Sequence, residues 1–149
     1  MDENNHLKAL CDAAVSAPEF QPKDGVTHCN QAVRSIALGM GYTGFAPDEL
    51  ATHMIGFMAA SPDWEAVNME HAAQFAQAGR MVVACMVEQS HGHVAVLYPA
   101  PMQQSGSLGY EVPMIANVGK TNGVMRASQA FPVAQFPRWP IYYALKAAQ

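Results

Sequence analysis

Residues 81–98 read Met81-Val82-Val83-Ala84-Cys85-Met86-Val87-Glu88-Gln89-Ser90-His91-Gly92-His93-Val94-Ala95-Val96-Leu97-Tyr98, and this stretch decides the fold class. The unbroken apolar run at 81–87 has the length and composition of a buried strand. Gln89-Ser90-His91-Gly92 reads as a turn into a second strand at 93–98, which Pro99 and Pro101 stop. Strands joined by so short a connection pair antiparallel. Downstream, 99–109 reads as a polar loop, 110–118 as a third strand, and Gly119-Lys120-Thr121-Asn122-Gly123 as the following turn. Weaker strand signals lie at 130–131 and 141–145.

Upstream of this stretch the period is helical. Leu7, Leu10, Cys11, Ala14 and Val15 mark one face of a first helix, ended by Pro18 and Pro22. Ala32, Val33, Ile36, Ala37 and Met40 mark a second, which starts near Thr27 or His28 and stops at Gly39 and Gly41. Pro47 and Asp48 look like the first turn of a third, with Leu50, Met54 and Phe57 or Met58 facing inward. Asn68 is the expected N-cap of a fourth and Gly79 its C-cap. Helices first and strands after predict an α+β fold, with N-terminal helices on a mostly antiparallel sheet, in one domain spanning 1–149.

Composition narrows the function classes. Of 149 residues, 50% are hydrophobic and 13% charged, which suits a real core and argues against disorder. The net charge of −4, without a basic cluster, argues against nucleic acid as a partner. No apolar run reaches the roughly 18 residues of a membrane span. The polar start Met1-Asp2-Glu3-Asn4-Asn5-His6 does not read as a signal peptide, which places synthesis in a cytoplasm.

The three cysteines, Cys11, Cys29 and Cys85, form no CxxC pair, and at most one disulfide leaves one thiol free. Cys11 lies on an apolar helix stripe and Cys85 inside an apolar strand, so both read as buried hydrophobes; the spacing leaves a Cys11–Cys85 bridge open. Cys29 differs, because it falls at the first residues of the second helix. Free N–H groups and the positive helix end there favour an anion and lower a thiol's pKa. The same amides suit an oxyanion beside the attacking sulfur.

A thiol nucleophile needs a base. His93 leads a strand face that continues through Ala95 and Leu97, where it is expected to meet the end of a helix packed on the sheet. Asn117 shares a face with Ile115 and Pro113; it either orients the imidazole or initiates the Gly119 turn. His28, next to Cys29, is a rival base, an oxyanion donor or a helix cap. His91 and His93 form an HxH pair, but no Cys or carboxylate stands at ligand spacing, so no metal and no cofactor is expected. Residues 41–44 and 103–107 are candidates to line a groove. Met54, Met58 and Met69 read as packing, and Trp139, between Pro137-Arg138 and Pro140, as a lid, docking or buried residue.

Thr27-His28-Cys29-Asn30-Gln31-Ala32-Val33, followed by Gly92-His93-Val94-Ala95-Val96, resembles the papain-like peptidoglycan peptidases of the NlpC and CHAP types. It resembles especially the small amidase effectors of type VI secretion. The likeness extends to the helix ending at Gly79, the Val118-Gly119 turn and the Tyr142-Tyr143 strand. It implies a papain-like fold and a Cys–His hydrolase of an amide bond in the stem peptide, typically γ-D-glutamyl–meso-diaminopimelate. It makes Cys29 and His93 catalytic, Asn117 the third member, and His28 and Asn30 oxyanion or substrate contacts. It also implies export to act in a target cell's periplasm, with the stem peptide and a cognate immunity protein as partners. Two departures stand out: Asn30 occupies a place where many relatives have Ser or Gly, and the third catalytic position varies across the superfamily. A non-catalytic cell-wall or partner-binding module of the same fold is the alternative.

Overall fold

The structure, a computed structural model, describes residues 3–88 and 91–146. Gln89 and Ser90, at the centre of the expected turn, and Met1 and Asp2 lie outside the described residues. Helix α1 spans Glu3–Ser16, α2 Cys29–Gly39, α3 Ala51–Ala60, α4 Met69–Gln77 and the short α5 Ala127–Ala130. The strands are β1 Trp64–Val67, β2 Val82–Glu88, β3 His91–Leu97, β4 Gln103–Ser105, β5 Tyr110–Val112, β6 Met114–Asn117, β7 Gly123–Arg126 and β8 Ile141–Leu145. The fold is α+β, built on a six-stranded antiparallel sheet ordered β1-β8-β2-β3-β6-β7, with β4 and β5 as a separate hairpin.

The sheet is covered on both faces. Leu7, Cys11, Val33, Ile36, Met54 and Met58 of α1, α2 and α3 pack on Val83, Cys85, Val94 and Val96. Ala72 and Ala76 of α4, with Ala127 and Phe131, pack on Val82, Ala84, Ala95, Leu97, Ile115 and Tyr142. Two-residue alternation sorts β2 and β3 between these cores, and burial on both faces explains why their sequence is continuously apolar. The expectation of helices on a sheet is thus extended: α4 and α5 cover the face opposite α1–α3.

Local chemistry accounts for several boundaries. The Asn68 side chain accepts from the His71 N–H at 2.8 Å, as a helix N-cap does. Gly79 has φ 92°, and beyond it the Arg80 N–H returns to the Phe75 carbonyl at 2.9 Å, closing the C-terminus of α4.

Other readings are corrected. The strand expected at 110–118 is two strands in two sheets, split at Pro113, which has no N–H to continue a ladder. The 99–109 loop contains β4. Residues 127–130 are helix where 130–131 had suggested strand, and β7 carries no clear period in the sequence. Pro47 and Asp48 precede α3, whose N-cap Leu50 is exposed. Gly92 lies inside β3, opposite Val87, because α3 presses on the strand there. A Cβ on it would stand 3.0 Å from the Met86 carbonyl oxygen and 3.3 Å from Ile55 Cδ1. No helix among the described residues is long and apolar enough to cross a membrane.

Candidate functional site

The N-terminus of α2 sets the sulfur. The first intrahelical bond runs from the Ala32 N–H to the His28 carbonyl at 3.0 Å, so the amides of Cys29, Asn30 and Gln31 precede the helical ladder. The backbone N–H groups of Val94, Asn30 and Cys29 favour the ionised sulfur, although none makes a hydrogen bond to it among the described residues.

The Val94 amide is left over where a ladder ends. Tyr98 donates its N–H to Met114 on the β6 side, so the N–H groups of Val96 and Val94 point the same way. Pairing of β3 with β6 covers only Val96↔Ala116 and Leu97↔Ile115. Val94 carries the next amide on that flank, left unpaired by β6, and it favours the ionised form of the Cys29 thiol.

His93 projects from the other face of β3, over Phe131, with ring centroids 5.1 Å apart. This corrects the expected approach. Helix α2 and Cys29 pack on the Val94 face, so sulfur and imidazole belong to opposite faces of β3 rather than to one shared face. The ring Nε2 bonds Asn117 Oδ1 at 2.7 Å, while Asn117 Nδ2 donates to the Thr121 carbonyl at 2.8 Å. A carbonyl can only accept, which fixes the amide orientation and makes Oδ1 the acceptor from His93. Nε2 therefore carries the proton in the neutral ring, and Nδ1 keeps its lone pair. Nδ1 makes no hydrogen bond among the described residues and is not a buried unpartnered atom, so it keeps some solvent-accessible surface. Gly119 closes the ring's other side: a Cβ there would stand 3.3 Å from His93 Cε1.

Burial dominates both ionisations. It pushes the Cys29 thiol above its ordinary value, and the amides of Val94, Asn30 and Cys29 oppose this without overcoming it. The lowering expected from the helix terminus alone is thus corrected: the resting sulfur is a neutral thiol. Burial also pushes the His93 ring down, against the Asn117 hydrogen bond, which pushes it up. No hydrogen bond joins the thiol to the ring among the described residues. Both shifts favour the neutral forms, so a standing thiolate–imidazolium pair is disfavoured, and chemistry at Cys29 would need proton transfer during attack.

Asn117 is 5% exposed and takes the orienting position, and its contact with the 119–123 turn is a side-chain bond to Thr121. His28 occupies the N-cap position of α2, but its side chain does not cap the helix; Nδ1 bonds Gln31 Oε1 and the ring leans on Phe20. The Asn30 side chain donates to the Glu49 carbonyl at 2.8 Å, tying α2 to the loop before α3, so only its backbone amide faces the sulfur. Of residues 41–44, Tyr42 packs edge-on against Phe45 and Trp64, and Gly41, Thr43 and Gly44 are exposed. Cys11, Cys29 and Cys85 are all free thiols. His91 is exposed, its Nε2 3.9 Å from Glu88, and no cluster of three potential metal ligands occurs among the described residues.

Sequence reasoning missed the Val94 amide, the Thr121 carbonyl, Gly119 and Phe131. Only Gly119 carried a signal, as a glycine two residues beyond a polar strand position. No protein-family model matches the chain, and no curated protein matches it significantly.

Proposed function

We propose that the protein is a papain-like peptidoglycan amidase or endopeptidase that cleaves a stem-peptide amide through Cys29 and His93. The observation that supports this reading is the buried His93 Nε2–Asn117 bond on the strand against which α2, with Cys29 as its first residue, packs. The likeness of the Cys29 and Gly92-His93-Val94-Ala95-Val96 segments to NlpC-type and CHAP-type peptidases supplies the substrate class. Within that class we take the bond as γ-D-glutamyl–meso-diaminopimelate and the role as an exported antibacterial effector.

In this mechanism His93 Nδ1 takes the thiol proton as the sulfur attacks the carbonyl carbon. The carbonyl π electrons move to oxygen, near the α2 amides. When the tetrahedral adduct collapses, the C–N bond breaks and the imidazolium protonates the leaving amine. Water then attacks the thioester with His93 again as base. The carboxylic acid leaves, and the proton returns to the sulfur. Asn117 keeps Nε2 protonated and Nδ1 aimed at the reaction throughout.

Mass spectrometry of fragments released from purified sacculi tests the reading. The expected result is new stem-peptide termini with wild-type protein and none with Cys29→Ala. Intact stem peptides after wild-type digestion would favour the non-catalytic binding module.

A further inference from the structure

Strand β6 ends at Asn117, and the turn that follows is gripped by two asparagines. Asn117 Nδ2 donates to the Thr121 carbonyl at 2.8 Å, and the Gly119 N–H donates to Asn122 Oδ1 at 2.9 Å. The other end of the Asn122 amide leaves the turn: Nδ2 donates to the Phe20 carbonyl at 2.7 Å, across 102 residues of sequence. An N–H can only donate and a carbonyl can only accept, so both contacts fix the same amide orientation. Among the described residues, no other hydrogen bond ties the 118–122 turn to the segment that leads into α2. Phe20 is a firm anchor. Its own N–H returns to the Ala17 carbonyl at 3.1 Å, and its ring packs on the core and leans on His28.

The turn so held is one wall of the His93 ring. Continuing the β3–β6 register from Val96↔Ala116 would put Gly119 opposite His93, and a Cβ on Gly119 would stand 3.3 Å from His93 Cε1. The Thr121 carbonyl decides which end of Asn117 faces that ring. It accepts only from Nδ2 and so leaves Oδ1 for His93 Nε2, 2.7 Å away. Were the carbonyl to swing off, the Asn117 amide could turn over and offer Nδ2 to the ring. Nε2 would then accept, the neutral ring would carry its proton on Nδ1, and the nitrogen that is to receive the thiol proton would be blocked. Lys120 and Thr121 are exposed, so packing of their side chains does not hold the turn, and the asparagine bonds are left to do so.

We propose that Asn122 is a positioning residue that sets the tautomer of His93, by pinning the turn that keeps the Thr121 carbonyl on Asn117. Its bond to Phe20 anchors that turn to the body of the protein. The Nε2–H tautomer is a property of the ring whatever the reaction; that its free Nδ1 takes the thiol proton rests on the hydrolase reading.

Long-range proton–nitrogen correlation spectra of isotopically labelled protein, recorded with the ring neutral, read the tautomer directly. Wild-type His93 is expected to be mainly Nε2–H, and Asn122→Ala to raise its Nδ1–H share at least about threefold. If Asn122→Ala fails to fold, Asn122→Asp decides. It keeps an acceptor for the Gly119 N–H but sets an oxygen against the Phe20 carbonyl, and it is expected to raise the Nδ1–H share at least about twofold. A wild-type ring that is mainly Nδ1–H, or a tautomer unchanged in the folded variant whatever its melting temperature, overturns the proposal. Kinetics give a second readout: the folded variant is expected to lower kcat for stem-peptide cleavage at least about threefold, with KM within about twofold of wild type. A shifted tautomer with unchanged kcat would keep Asn122 in its role and remove His93 as the base. If wild-type protein cleaves nothing, the hydrolase reading fails, while the spectra still decide the role of Asn122.

Discussion

At its Leu97 end, β3 is paired on both sides, to β2 and to Ile115 of β6, and Leu97 is fully buried. At its His93 end the same strand is paired only with β2, and the flank facing β6 is open. The closed end spends its amides on the ladder and its side chains on the core. The open end has one amide to spare, and the helix that begins at Cys29 packs on that strand. Four residues of one strand thus separate a structural element from a candidate reactive one, and the difference lies in where hydrogen bonding stops.

Substitutions at the two ends should fail in different ways. Cys29→Ala is expected to lower the release of cleaved stem peptides by on the order of 10⁴-fold or more while thermal unfolding stays close to wild type; His93→Ala should lower it as far, with some loss of stability because Asn117 Oδ1 loses its partner. Leu97→Ala should do the reverse. It opens a cavity in the core beneath α4 and α5 and costs about 2–5 kcal/mol in urea unfolding, with the specific activity of the folded fraction preserved. Asn117→Ala is a smaller break at the open end. A neutral hydrogen bond is worth about 0.5–1.5 kcal/mol net, so its loss should slow turnover about tenfold, chiefly in kcat.

The smallest expected effect is on stability in mild acid. The folded pKa of His93 lies below its ordinary value of 6.5, so the unfolded chain binds the proton first as pH falls. Stability is full above 6.5 and is lost as pH drops towards the folded value. His93→Gln should flatten that part of a melting-temperature profile, and an unchanged slope would remove His93 as its source.

The sequence was legible where two periods agreed with two faces. Continuous apolar runs at 82–87 and 94–97 are what a strand covered on both sides requires, and Asn68 and Gly79 bound α4 through their own backbone chemistry. Cys29 could be singled out because a helix start is a local feature, and His93 because strand alternation exposes it. What could not be read was non-local. The end of the β3–β6 ladder depends on how β6 turns away after Asn117, and the proximity of Phe131 depends on residues 127–130 folding as helix rather than strand. The balance between burial and amide dipoles at the sulfur is likewise a property of packing. Sequence pattern shows only the dipole half, and for that reason it pointed to a lowered thiol pKa.

Cys29 also stands against Cys85, which is wholly enclosed in β2 with a thiol raised far above the ordinary range, and against Cys11, raised to about 12. Site-mapped iodoacetamide labelling at neutral pH, in wild-type and His93→Ala protein, tests the central claim that the imidazole removes the thiol proton. The account predicts that Cys29 is modified well ahead of Cys11 and Cys85, and that His93→Ala slows Cys29 labelling at least about tenfold. Equal Cys29 labelling rates in the two proteins would contradict it.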